Sequence, residues 1–322
     1  MRQGINTLVG INGSGKTNIL NGIVLLANAI TKPSFANEEI RRSKKSLFHS
    51  TFLLEMQKSE RKIRIKVDIY YDNNEKNVDE VYWSEFAFSF DESKKFHKIE
   101  TFLIHVLTRD RSDKSMQEIY MRHSGLSSEI FLQISEAYVF ASQELSKIAY
   151  FSATIFSDPS KCPLAVEFDD FSQNTEYLAK NRRPHEKFLY DLYKSKIENK
   201  ILFEKYVNLV GRSNMSIIDG IEFENSEQFS QSIKVKSGAK FEKKERKKTI
   251  VIPSVRIGQS KFSFNQLSEG TFRTLATTFY ILNDQSNLFI LEEPEVCVHH
   301  GLLSSIVEVL IDKSMSTQII IS

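Results

Sequence analysis

The chain has 322 residues, of which 41% are hydrophobic, 11% aromatic and 26% charged; this excludes a disordered or low-complexity polymer and suits one large domain or two intimate lobes. Lys and Arg total 43 against 41 Asp and Glu, a net charge of +2, which excludes a polybasic nucleic-acid coat but leaves room for a local basic patch. Two cysteines make no disulfide framework, and with no membrane-length apolar run and no signal-peptide pattern, a reducing cytoplasm and no membrane partner are expected.

Ile5–Val9 reads as a buried strand closed by a Gly-rich turn over 10–15. A helix is predicted from Lys16 to Ile30, with Ile19, Leu20, Ile23, Val24, Ala27 and Ile30 at helical spacing, stopping before Pro33. From His49 to Phe90 the period changes to two: Ile63, Ile65, Val67 and Ile69 alternate with polar residues. Asp72-Asn73-Asn74 marks a turn and Val81–Phe90 a returning strand, so this part is an antiparallel meander. Residues 99–148 read as mostly helical, broken near Arg109–Lys114 and Gly125, and Lys147–Ala153 as a short apolar strand. Residues 173–211 read as charged helix without a sustained heptad.

Lys240–Lys248 holds six basic residues in nine. It reads as a solvated hairpin tip or loop; the alternative is a phosphate-backbone contact, which reversal of Lys243, Lys244, Lys247 and Lys248 tests. The remainder alternates strand Thr249–Ile252, helix Glu269–Leu282, strand Leu288–Leu291, helix Leu302–Leu310 and strand Gln318–Ile321, the pattern of a parallel sheet. The expected organisation is therefore α/β: strand and helix over 1–48, an antiparallel β lobe over 49–98, a largely helical insertion with short strands over 99–248, and a lobe over 249–322. Both ends fall on strands, so missing sequence is expected, above all after Ser322.

Three motifs carry chemistry. Gly10-Ile11-Asn12-Gly13-Ser14-Gly15-Lys16-Thr17 fits G-x-x-x-x-G-K-[ST] between a strand and a helix. Its glycines let successive N–H groups surround phosphates, Lys16 reaches the β- and γ-phosphates, Thr17 supplies a hydroxyl to Mg²⁺, and the helix dipole adds positive potential. Gly10, Asn12, Gly13, Ser14, Gly15, Lys16, Thr17 and Asn18 are thus the expected ATP-binding residues. Leu288–Leu291 delivers Glu292 and Glu293 to the carboxyl end of a buried strand, where open α/β sheets bind ligands. Glu292 is placed to hold Mg²⁺ through water, and Glu293 to orient or deprotonate the attacking water. Leu267-Ser268-Glu269-Gly270-Thr271 opens a second helix with Ser268 as its N-cap, a second anion-facing terminus. One nucleotide already occupies the Lys16 helix, so Ser268, Glu269 and Gly270 suggest contact with a nucleotide held by another copy.

In this order the motifs resemble Walker A, an LSGGQ-like signature and Walker B of an ABC-type ATPase head of the SMC/RecF-like group. The resemblance is firm over about 1–30 and 260–322. INTLVGINGSGKTN at 5–18, YFSATIFSDPSKCP at 150–163 and EEPEVCVHHGLL at 292–303 look like the PtuA-like ATPase subunit of Septu-type and retron-associated anti-phage systems. OLD-family nucleases share the EEPE form. The resemblance implies a P-loop NTPase fold binding ATP and Mg²⁺. It implies a head-to-tail homodimer or higher homo-oligomer in which Ser268 and Gly270 close the partner's site, and an HNH-like nuclease partner acting in trans. Nucleic acid is a further possible partner. The alternatives are a RecF-like DNA-repair ATPase and the ATPase portion of an OLD-family nuclease.

Glu269 and Thr271 depart from the signature, and Glu292 replaces the usual Walker B Asp. The glutamine loop has three candidates, Gln57, Gln133 and Gln143, and the switch histidine is expected beyond Ser322. His299 and His300 occupy the segment where the group crosses its dimer, with ordinary packing as the alternative. Cys162 and Cys297 lack metal-ligand spacing, and Asp169-Asp170 reads as a solvated turn. Nuclease chemistry is therefore expected on a partner or on sequence further downstream.

Overall fold

A computed structural model describes residues 4–10, 14–32, 48–58, 60–71, 82–91, 93, 95–99, 125–168, 182–212, 214–236, 240–296 and 298–322; at 48, 71, 82–83, 228–236 and 240–248 the backbone alone is described. The chain divides into two compact units, Gly10–Ile148 and a second made of Met1–Val9 with Ala149–Ser322.

In the unit Gly10–Ile148, α1 (Lys16–Thr31) follows the Gly-rich turn and buries Leu20, Ala27, Ala29 and Ile30. Ile19 of the expected apolar stripe is instead 53% exposed. The strands β2 (Phe48–Lys58), β3 (Arg61–Tyr71), β4 (Tyr82–Phe90) and β5 (His97–Ile99) form an antiparallel sheet in that order. Its period-two pattern holds: Ile63, Ile65, Val67 and Ile69 are buried, because alternate residues of a strand share one face. The helix α2 (Ser128–Leu145), N-capped by Ser127, packs Phe131, Ile134, Ala137, Tyr138 and Ala141 into the same core. The Tyr138 hydroxyl donates to the carbonyl of Ile30, tying α2 to the last turn of α1. The expected turn at Asp72–Asn74, the breaks at Arg109–Lys114 and most of the helical reading of 99–124 lie outside the described residues.

The other unit is built on a four-stranded sheet ordered β1 (Ile5–Thr7), β12 (Gln318–Ile321), β11 (Leu288–Glu292), β6 (Ile148–Ser152). β1, β12 and β11 run parallel, as the strand–helix alternation requires. β1 stops at Thr7, and Val9, expected in a buried strand, is 90% exposed. Helix α6 (His300–Ser314) is the crossover between β11 and β12, and α5 (Glu269–Asn283) leads into β11. Every residue of α5 from Phe272 to Phe279 is buried. It packs through Phe272, Leu275, Ala276 and Phe279 with Phe156, Phe188, Tyr206, Phe264, Phe289 and Leu291, and the Tyr206 hydroxyl donates to the Leu275 carbonyl at 2.9 Å. Helices α3 (Pro184–Glu198) and α4 (Lys200–Val210) realise the described part of the reading of 173–211, with Pro184 at the first turn of α3 and Asn199 capping α4; residues 173–181 lie outside the described residues.

The reading of 99–248 as a helical insertion with short strands needs correction. Residues 220–257 form a long antiparallel hairpin, β8 (Gly220–Lys236) with β9 (Lys240–Ile257). β7 (Val166–Phe168) and β10 (Ser260–Ser263) add only to the inner part of β9. The basic stretch 240–248, read as a hairpin tip or loop, is the distal part of the hairpin's second strand. Asp169-Asp170 lies outside the described residues.

Candidate functional site

The phosphate-loop residues occupy the unit Gly10–Ile148. A Cβ on Gly10 would stand 2.5 Å from Ser14 Oγ and 3.1 Å from Ser14 Cβ, so a side chain there would turn the Ser14 hydroxyl away. Gly15 precedes the helix with φ +87°, a left-handed conformation that costs side-chain-bearing residues energy. Gly15, as the N-cap, offers α1 no capping side chain, and the first turn has no acidic residue; the dipole at this terminus therefore favours an anion. Lys16 Nζ donates to the Gly10 carbonyl at 2.8 Å, folding the lysine over its own loop. Thr17 and Asn18 are exposed on the first turn. Asn12 and Gly13 lie outside the described residues. Among the glutamine candidates, Gln57 is on β2 and Gln133 and Gln143 on α2; Gln133 donates to Glu129 within that helix.

The paired carboxylates and the second helix terminus occupy the other unit. Glu292, the last residue of β11, is 8% exposed. The Tyr150 hydroxyl, from β6, donates to its Oε2. Burial first, then the hydrogen bond to Glu292 and the charges of Glu292 and Glu293, push the Tyr150 phenol above its ordinary value. The hydroxyl therefore keeps its proton and serves as the donor to the Glu292 carboxylate. Glu293 is exposed and has φ +50°. Its N–H donates to the Ser322 carbonyl at 2.8 Å, and Ser322 N–H returns a bond to Leu291 at 3.1 Å. The sheet thus continues past Glu292 while the left-handed residue turns the chain into Pro294, so the two carboxylates leave the strand in different directions. Non-glycine residues in that region cost roughly 1–3 kcal/mol and concentrate at functional sites.

Ser268 is exposed, with its side chain accepting from Thr271 N–H at 3.3 Å and donating to Thr271 Oγ1 at 2.9 Å. Thr271, one of the departures from the signature, is thereby part of the cap. Glu269, the other departure, pairs with Arg273 Nη2 at 2.6 Å, and Arg273 Nη1 donates to the Val296 carbonyl at 3.1 Å. Arg273 is 3% exposed. It fastens the start of α5 to the segment following the two glutamates. Ordinary reading of a mostly apolar helix gives no hint of this, although an arginine inside a run of Phe, Leu and Ala is a visible anomaly. Tyr150 was equally hidden, because its partner lies 142 residues away. His299 is exposed and caps α6, its Nδ1 accepting from Gly301 N–H at 3.2 Å. Cys162 is buried and its thiol is pushed up to about 12, making it an inert core residue; Cys297 lies outside the described residues.

Residues 255–322 match the family model described as "AAA domain, putative AbiEii toxin, Type IV TA system". The matched segment carries Ser268, Glu292 and Glu293 and supports an ATPase domain of the AAA type there. The fold is an α/β P-loop NTPase fold. No curated protein matches the chain significantly. Among solved structures it is similar to the SMC head domain from Thermotoga maritima, at 12% identity and TM-score 0.36 over 99% of this chain and 80% of that one. An Smc head bound to the C-terminal winged-helix domain of ScpA gives 9% identity and TM-score 0.35 over 99% and 82%. An Smc head with an extended coiled coil, bound to the C-terminal domain of ScpA from Pyrococcus furiosus, gives 10% and 0.32 over 100% and 84%. No helix among the described residues is long and apolar enough to cross a membrane.

Proposed function

We propose that the chain is an ABC/SMC-like ATPase head that binds Mg-ATP, closes head to tail on a second copy, and reopens on hydrolysis. Lys16 and the N–H groups of Gly13, Ser14 and Gly15 hold the phosphates, with Gly10, Asn12, Thr17 and Asn18 completing the loop. Thr17 and Glu292 hold Mg²⁺, and Glu293 orients or deprotonates water. Ser268 and Gly270 of one copy reach the γ-phosphate held by the other. Glu269, the third residue expected to contact nucleotide at that terminus, is held by Arg273. The pairing of a buried, donor-held Glu292 with an exposed, redirected Glu293 carries this reading. One carboxylate is fixed for a metal and its neighbour is free to meet water.

The setting we infer is anti-phage defence, with opening and closing of the heads gating an HNH-like nuclease subunit in trans. It rests on the EEPEVCVHHGLL and YFSATIFSDPSKCP segments, a resemblance of sequence and not of site chemistry. The enzymatic claim has a direct test. Phosphate release from Mg-ATP by the purified chain is expected to fall at least 100-fold in Lys16→Ala and Glu293→Gln; hydrolysis that survives both variants overturns the assignment.

A further inference from the structure

The hairpin β8–β9 outruns the sheet that holds its base. β7 pairs with β9 over Thr249–Val251 and β10 over Ser254–Ile257, whereas Lys240–Lys248 pairs only with β8 among the described residues. Residues 228–248 contain eight basic and two acidic residues, a net charge of +6 against +2 for the whole chain. The rest of the molecule is therefore net acidic, and the positive charge is concentrated on one two-stranded arm.

The register sorts that charge. Residues directly opposite in an antiparallel pair share a face, and faces alternate with period two. Lys236 faces Lys240, Lys234 faces Glu242, Ser232 faces Lys244, Ser230 faces Arg246 and Gln228 faces Lys248. This even-numbered face thus carries six cations, one carboxylate and no apolar residue. The odd-numbered face carries Phe229, Ile233, Val235 and Phe241, with Lys243, Lys247, Gln231 and Glu245. Toward the base it continues into Ile221, Phe223, Val251 and Val255, which belong to or pack on the core. The cationic face is therefore the one opposite the core-facing positions.

We propose that the even-numbered face of this arm binds the sugar–phosphate backbone of duplex DNA. Lys244, Arg246 and Lys248 recur every second residue, at about 6.8 Å, close to twice the 3.4 Å axial rise of phosphates along one strand. A two-stranded ribbon fits the roughly 12 Å major groove of B-form DNA, whereas the major groove of A-form RNA is too narrow and deep for it. A bilayer surface is a poorer match, since the cationic face offers no apolar residue to the acyl boundary. The inference is independent of the nucleotide site. It also refines the basic stretch: Lys244 and Lys248 share the DNA-facing side, while Lys243 and Lys247 lie on the other.

The test is fluorescence anisotropy of a fluorescein-labelled 30-base-pair duplex of mixed sequence, titrated with the full chain between about 50 and 200 mM KCl, where phosphate contacts show as a salt slope. Lys244→Gln/Arg246→Gln/Lys248→Gln is expected to weaken binding at least tenfold at the lowest salt and to reduce the log–log salt slope by about 2–3. Lys244→Glu/Glu245→Lys keeps the net charge while moving a cation to the other face, and is expected to weaken binding at least fivefold. Lys243→Gln/Lys247→Gln is expected to stay within about twofold of wild type, with melting temperatures reporting that each variant folds. Failure of the wild type to bind, wild-type binding by the triple and exchange variants, or tighter binding to duplex RNA or phosphatidylserine vesicles overturns the proposal.

Discussion

The hydroxyl of Tyr150 reaches the carboxylate of Glu292 across 142 residues of sequence, and β6 and β11 are neighbours in the sheet that makes this possible. Holding Oε2 in this way fixes the carboxylate's orientation. Partners of this outer kind are typically worth about 10–100-fold in metal affinity or activity. Tyr150→Phe removes only the donor, so the magnesium concentration for half-maximal hydrolysis is expected to rise about tenfold with little change in melting temperature. An unchanged magnesium dependence would make the contact merely structural. His185 offers a second test at this scale. It is buried, stacked on Phe272 at 5.3 Å, and its Nε2 donates to the Ser157 carbonyl at 2.9 Å. Burial dominates and lowers its pKa below the ordinary 6.5, the Ser157 bond and the Asp158 charge offsetting part of the effect and Lys161 adding to it. The unfolded chain therefore binds the proton first. The stability this histidine contributes is complete above about pH 6.5 and is lost as pH falls toward its folded pKa. The melting-temperature gap between wild type and His185→Phe is expected to shrink between pH 7.5 and 5.5; a constant gap would contradict this.

At the scale of the element, α5 combines two roles that usually conflict. Its body is buried on all sides, while Ser268 at its start is exposed. Arg273 reconciles them by bonding Glu269 on its own helix and the Val296 carbonyl after β11. Arg273→Met keeps length and apolar volume but leaves the Val296 carbonyl without that donor. A destabilisation of about 1–3 kcal/mol is expected in denaturant titration, together with weaker ATP-dependent association; a variant with wild-type stability and association would show the bridge to be incidental. The helices α1 and α5 and the strands β11 and β12 were legible because each is a short regular pattern beside a motif: Gly15 and Lys16 start one helix, Ser268 caps another, and Leu288–Leu291 runs into Glu292. The hairpin β8–β9 was not. Ile221 and Phe223 alternate with Glu222 and Glu224, but beyond Asn225 the alternation thins, with Asn225, Glu227 and Gln231 interrupting Phe229, Ile233 and Val235 on the same face. An alternation broken in this way carries little hydrophobic period to detect. Its register, and hence the sorting of its charges, is visible only once the strands are paired.

For the whole molecule, the same distinction between local and distant information applies. The parallel order β1-β12-β11 joins residue 5 to residue 319, which composition and period could suggest only as a class of fold. The motif residues could be named from spacing, whereas Tyr150, Arg273 and the capping role of His299 depend on chain segments meeting across long separations. The phosphate loop and the paired glutamates fall in different compact units, and Ser268 stands exposed at the head of α5. The proposed use of that exposed terminus is to complete a nucleotide site on a second copy, and this is the central claim. Its most direct test is the solution molar mass of Glu293→Gln protein by light scattering after size exclusion, with and without Mg-ATP. A two-chain site predicts a rise from about one chain mass to two on adding Mg-ATP, abolished by Lys16→Ala or Ser268→Arg. A mass that ignores Mg-ATP while the same sample demonstrably binds nucleotide would contradict it.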